Sequence, residues 1–176
     1  MKKLISLVLI VICMMSLVAC GNEEVAATVE PFPKFQGVDF KGSAVNNEIF
    51  KDYDATIVNF WSNSCGSCIE EMPELEEYYQ EFKDKNINLI TVAVSAGESD
   101  ELRVEAETIL KEKGVTYTNV IPDIESSFYK DFIGKITGYP TTYIVDGNGN
   151  IIGAPIIGVV KNQEDTLMKR LEMINK

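Results

Sequence analysis

Histidine is absent from all 176 residues, and with it go several chemistries. A cysteine–histidine hydrolase would lack its base, and a mixed Cys/His zinc or copper site would lack its imidazole. Cysteine is scarce, with four in the chain, and tryptophan occurs once, at Trp61. Basic residues are few: 16 Lys and Arg stand against 27 Asp and Glu, a formal charge of −11 at pH 7. A surface this acidic repels phosphate backbones and anionic headgroups, which argues against nucleic-acid binding. No internal repeat or domain boundary is visible, so one domain with a real hydrophobic core is expected.

The cysteines that are present have distinct settings. Lys2 and Lys3 precede an uncharged, almost wholly apolar run from Leu4 to Val18, the length of a signal h-region. It stops at Leu17-Val18-Ala19-Cys20, which looks like a bacterial lipobox. That resemblance implies a signal peptide over residues 1–19, cleavage before Cys20 and a diacylglyceryl group on its sulfur. The alternative is an uncleaved anchor, since Leu4 to Ala19 would nearly cross a thin bilayer at ~1.5 Å per residue. Either way the rest of the chain is expected at the extracytoplasmic face of the cell membrane. Cutting nineteen residues from 176 leaves 157, and loss of Lys2 and Lys3 takes the formal charge from −11 to −13.

Cys13 leaves with the leader and Cys20 is the lipid site, so Cys65 and Cys68 alone remain as thiols. They can pair with each other or with a partner's sulfur. A scaffold disulfide is one reading, but closing so small a loop removes little entropy from the unfolded chain. Redox chemistry is the better one. Two thiolates are also half a tetrahedral zinc site, which leaves metal binding through a bridged dimer open. No cofactor is called for.

The pair sits where a buried strand hands over to a helix. Thr56 to Trp61 is β-branched and aromatic, as a strand covered on both faces would be. Ser62-Asn63-Ser64 breaks it, with Ser64 the expected N-cap. From Cys65 onward, Ile69, Met72, Leu75, Tyr78, Tyr79 and Phe82 recur at helical spacing to about Lys83. Cys65 is therefore expected in the first helical turn, where free N–H groups and the dipole favour a thiolate and a lowered pKa. Pro73 is expected to kink this helix.

Gly21 to Val29 reads as a spacer within a tether over residues 20–31, and Pro31 and Pro33 mark entry to a domain over residues 32–176. Lys34 to Gly42 and Ala44 to Phe50 read as a hairpin, and Asn88 to Val94 as a second buried strand. Ser99 or Asp100 caps a helix through Glu112, ended by Gly114. Thr116 to Ile121 reads as a strand and Ile124 to Phe132 as a helix. Thr141 to Val145 and Ile151 to Ile157 flank the hairpin signal Asp146-Gly147-Asn148-Gly149, and Gln163 to Ile174 closes the chain as a helix.

Asn59-Phe60-Trp61, Cys65-Gly66-Ser67-Cys68, Glu71-Met72-Pro73 and Gly138-Tyr139-Pro140-Thr141-Thr142 together resemble the thioredoxin fold. More narrowly they resemble the membrane-tethered TlpA/ResA-type thiol-disulfide oxidoreductases, over about residues 32 to 176. The resemblance implies an α/β architecture, three-layer α/β/α, with a central mixed sheet and an N-terminal β-hairpin. It implies that Cys65 is the nucleophile, that Cys68 resolves the mixed disulfide, and that Pro140 follows a cis bond and faces the pair. Tyr139 would offer its backbone to a partner strand, and its ring is open to two readings, a contact for the partner surface or plain packing. Trp61 would pack, partly buried, beside the dithiol and contribute to partner binding. Glu71 would handle the proton of Cys68, because Asn59 occupies the strand position at which thioredoxins carry an aspartate.

Ser67 and Ser64 depart from the proline and tryptophan common in thioredoxins, and a hydroxyl beside sulfur can move the redox balance in either direction. The expected activity is reduction of disulfides in client proteins, with re-reduction by a membrane electron donor of the CcdA/DsbD type. Apocytochrome c, methionine sulfoxide reductases and spore-envelope factors are client classes of that family. A disulfide-introducing oxidase and a non-catalytic binding lipoprotein are the alternatives. A monomer is expected.

Overall fold

The structure, a computed structural model, describes residues 30–174. The signal peptide, Cys13, the lipid site Cys20 and the spacer Gly21 to Val29 lie outside the described residues.

Two strands, β4 (Ala55–Trp61) and β5 (Ile87–Ala93), form the centre, and every residue in both is buried. They run parallel in continuous register from Ala55↔Ile87 to Trp61↔Ala93. Strands buried on both faces need apolar side chains in succession rather than in alternation, and both segments have them almost throughout. Around this pair lie β1 (Glu30–Pro31), β2 (Gln36–Asp39), β3 (Ala44–Asn46), β6 (Thr118–Pro122), β7 (Thr141–Asp146), β8 (Asn150–Ile151) and β9 (Ile156–Ile157). The sheet order is β1-β8-β7-β4-β5-β6-β2-β3, with β9 on β7. Of the neighbours of the central pair, β6 runs parallel to β5 and β7 antiparallel to β4. The sheet is thus mixed.

Three helices, α1 (Gly66–Phe82), α2 (Asp100–Glu112) and α3 (Glu164–Ile174), share one side of the sheet. Alternate strand residues meet them: Ala55, Ile57 and Trp61 from β4, Ile87, Leu89 and Ala93 from β5. The residues between, Val58, Phe60, Ile90 and Val92, point the other way into a core rich in phenylalanine. That side is closed by short elements, a 3-10 turn at Asn47–Asp52 and a π-helical turn at Phe128–Phe132. Phe32, Phe35, Phe50, Phe60, Phe128, Phe132 and Tyr143 touch ring to ring across it, many edge-on, as aromatic quadrupoles prefer.

Several boundaries differ from expectation. The strand expected over Ala44 to Phe50 stops at Asn46, because the Asn46 side chain accepts from Glu48 N–H and caps the 3-10 turn that brings Phe50 into the core. Glu30 and Pro31, assigned to the tether, pair with β8. The Ile124 to Phe132 helix is a turn followed by the π-helical segment. Ile151 to Ile157 is two short strands, interrupted around Gly153, whose φ of +71° takes the chain out of the extended region. Ser99, rather than Asp100, caps α2, its hydroxyl accepting from Leu102 N–H at 3.2 Å.

Candidate active site

Cys65 itself is the N-cap of α1, and the helix starts at Gly66, one residue later than the sequence pattern implies. Ser64 does not cap the helix; it is exposed and its hydroxyl lies 3.3 Å from that of Ser62. A turn closed by Cys65 N–H to Ser62 C=O at 3.0 Å swings the cysteine into the capping position. Its sulfur does the work a serine oxygen usually does, accepting from Cys68 N–H at 3.3 Å. Negative charge on Cys65 Sγ therefore meets both an N–H and the positive end of a helix of 17 residues. Ser67 Oγ stands 3.6 Å from the same sulfur.

Cys65 and Cys68 form a disulfide with Cα atoms 5.3 Å apart. The two sulfurs differ in access. Cys65 is partly exposed and Cys68 is buried at 2%, so an incoming sulfur reaches Cys65 first. The Tyr139–Pro140 peptide is cis.

Glu71 belongs to the buried stripe of α1, with Cys68, Met72, Leu75, Tyr78 and Phe82. It is 3% exposed. One carboxylate oxygen accepts the Val160 N–H, and the other has no protein partner. Burial pushes its pKa from 4.5 up to about 7; Val160 N–H opposes the rise, Glu74 adds to it and the Asn59 amide opposes it. A carboxyl in that range can take or give a proton near neutrality. The backbone ties this group to the Pro140 loop, because Gly158 N–H donates to Pro140 C=O at 2.8 Å two residues before Val160.

Trp61 packs beside the dithiol as expected, but is fully rather than partly buried. It is 1% exposed, packed among Cys68, Met72, Ala93, Ala106 and Ile121. A ring so enclosed offers no surface to a partner, so Trp61 supports the dithiol from below and the expected partner contact is not available to it. Tyr139 is half-buried, its ring against the same cluster, and burial raises its phenol pKa. With Ser62, Asn63, Ser64, Glu98 and Tyr129 it lines a cavity of about 550 Å³ on the Cys65 side of the chain.

The site also uses groups with no signature in the sequence. Asn63 fastens the loop before Cys65 to the segment around α2: its N–H donates to Ser95 Oγ, its side-chain amide donates to Leu102 C=O at 2.8 Å and to Glu105 Oε2 at 2.7 Å, and its side-chain oxygen accepts from Ser95. Val160 contributes only a backbone N–H, which any residue but proline could supply. Among the described residues, no group of three or more His, Cys, Asp or Glu is arranged to hold a metal ion.

A family model described as the AhpC/TSA family matches residues 29–154. Thiol-disulfide oxidoreductase ResA of Geobacillus kaustophilus is 28% identical over 144 residues, 81% of this chain and 75% of that protein. Thioredoxin-like protein YneN of Bacillus subtilis is 30% identical over 122 residues, 66% of each chain. Among solved structures, the thioredoxin domain of a thiol-disulfide oxidoreductase from Bacteroides vulgatus superposes with a TM-score of 0.67 at 26% identity, covering 82% of this chain and 98% of that one. The fold is thioredoxin-like.

Proposed function

The chain belongs to the AhpC/TSA family and carries a thiol-disulfide oxidoreductase centre, and from that premise we propose that it reduces disulfides of client proteins at the outer face of a membrane to which it is tethered. The observation that carries the reading is the asymmetry of the pair: an accessible sulfur at the start of α1 and a buried one a turn deeper. In the reduced protein Cys65 thiolate attacks one sulfur of the client disulfide. A mixed disulfide forms and one client thiolate leaves. Cys68, its proton passed to Glu71, then attacks Cys65 Sγ, which releases the second client thiolate and leaves the Cys65–Cys68 bond. The client gains two electrons and the protein loses two.

Glu71 is the buried carboxyl nearest in sequence to Cys68 on the same helix stripe, and its raised pKa supports the proton role. Pro140 and the Tyr139 backbone orient the client strand, and a membrane dithiol donor of the CcdA/DsbD type returns the electrons. Tethering rests on the apolar leader and the lipobox-like Leu17 to Cys20, with Cys20 carrying the lipid.

The test is reduction of insulin disulfides by the purified full chain, beside a Cys65→Ala variant. Turnover that survives loss of Cys65 sinks the proposal. In cells, a Cys68→Ala variant should accumulate mixed disulfides with its clients, and a Cys20→Ala variant should leave the membrane fraction.

A further inference from the structure

On the helix-covered side of the sheet, four buried polar residues stand side by side across four strands. Asn59 of β4 is in register with Thr142 of β7 on one side and Thr91 of β5 on the other, and Thr91 is in register with Asn119 of β6. None is more than 6% exposed. Two positions along the same strands, on the same face, stand Ile57, Trp61, Leu89, Ala93, Ile121 and Ile144, so the row interrupts an otherwise oily layer beneath α1. The row is hydrogen-bonded within itself: Asn59 Nδ2 donates to Thr142 Oγ1 at 2.9 Å, Thr91 Oγ1 to Asn119 Oδ1, and Asn119 Nδ2 to Tyr117 C=O at 3.1 Å.

Burying four polar side chains where apolar ones would pack gives no stability by itself. The row passes beneath Glu71, the one carboxyl among the described residues that is buried on this side of α1: Asn59 lies between Ile57, which packs in one cluster with Leu75, and Trp61, which packs in another with Cys68 and Met72, and Glu71 keeps one buried oxygen without a hydrogen-bond partner. We propose that Asn59 is a positioning residue: held by Thr142 through one N–H, it keeps its second N–H free for the unpartnered oxygen of Glu71 and so steadies the carboxylate that serves Cys68. The inference rests on the proton role proposed for Glu71. An amide is suited to this place. It donates to the carboxylate without adding charge, whereas an aspartate would put a second negative group against Glu71.

The other groups around Glu71 do not substitute for it. Glu74, on the same helix, disfavours its charge and is itself paired with Lys161 at 2.7 Å. Tyr117, ahead of β6, is buried and has no hydrogen-bond partner for its hydroxyl. Val160 N–H is backbone and is fixed by the loop after β9.

The test follows the Glu71 carboxyl directly, by ¹³C NMR titration of the oxidised full chain, with the resonance assigned from its absence in Glu71→Gln. Asn59→Leu should move the midpoint upward by about one pH unit, the worth of a lost hydrogen bond to a charged group. Thr142→Val, which frees the amide, should move it the same way by less, and Thr142→Ser, which keeps the hydroxyl, should restore it. Should Asn59→Leu fail to fold, the two Thr142 variants carry the test. An unmoved midpoint in the folded variants overturns the proposal. Insulin turnover is read across the same pH range: its profile should follow the midpoint. A moved midpoint with an unmoved turnover profile would overturn the part of Glu71 in the exchange, and not the placement of Asn59.

Discussion

The two sides of the central sheet are built from alternate residues of the same strands and are both largely apolar, yet the helix-covered one carries a hydrogen-bonded polar row beneath α1. Away from the helices, Phe32, Phe35, Phe50, Phe60 and Phe128 close a core with rings a few ångströms apart. Beneath α1, the same strands present Asn59, Thr91, Asn119 and Thr142, and the helix answers with Glu71 and Cys68. Aromatic burial stabilises by area removed from water, and nothing in it needs a proton or a charge. Buried amides and a carboxyl cost desolvation that only their mutual hydrogen bonds offset. Both sides hold the sheet by apolar burial, and the helix-covered side adds the polar row beneath the start of α1.

The comparison breaks most sharply at the sulfurs. Cys65→Ala should abolish insulin reduction while stability falls by only about 2 kcal/mol, from the short cysteine loop and the lost sulfur cap of α1. On the aromatic side the outcome should invert: Phe50→Ala, at a ring 1% exposed, should cost about 3–5 kcal/mol in denaturant unfolding and leave turnover per folded molecule unchanged.

Glu71→Gln sharpens the contrast through pH. The folded pKa, about 7, lies above the ordinary 4.5, so the folded state holds the proton more tightly. Stability from this group is complete below about 4.5 and is lost as pH rises through 7. Relative to the wild type, Glu71→Gln should therefore gain on the order of 3 kcal/mol between acid and alkaline conditions in unfolding of the oxidised protein, and should turn over more slowly. Equal pH dependence in both proteins would remove the carboxyl from the account. The smallest effect is expected at Ser67. If its hydroxyl donates to Cys65 thiolate, it stabilises the reduced form, and Ser67→Ala should move the potential more negative by roughly 10–30 mV in a glutathione equilibrium.

Much of this was legible in residue order. The β-branched run ending at Trp61, the helical spacing from Ile69 to Phe82 and the Asp146 turn are local patterns; β4, α1 and β7 follow them within a residue or two, and the chain does turn after Asp146, into a β8 much shorter than the expected strand. The cysteine pair announced itself by its place between strand and helix. Trp61 lies deeper than expected because a residue at a strand's end can point to either solvent or core, and only the helix packed over it decides. The N-cap moved from Ser64 to Cys65 because the turn to Ser62 C=O, and not the capping preference of serine, set the phase of the chain.

The sequence by itself determined the redox pair, the absence of any imidazole chemistry and the nearly unbroken apolar runs that bury β4 and β5, since each depends on residue type and near-neighbour spacing. The tertiary structure alone decided that Asn59, Thr91, Asn119 and Thr142 form one row, and that Val160 meets Glu71 89 positions away. Strand register and loop closure bring such groups together, and neither is written in the local periodicity of any one segment.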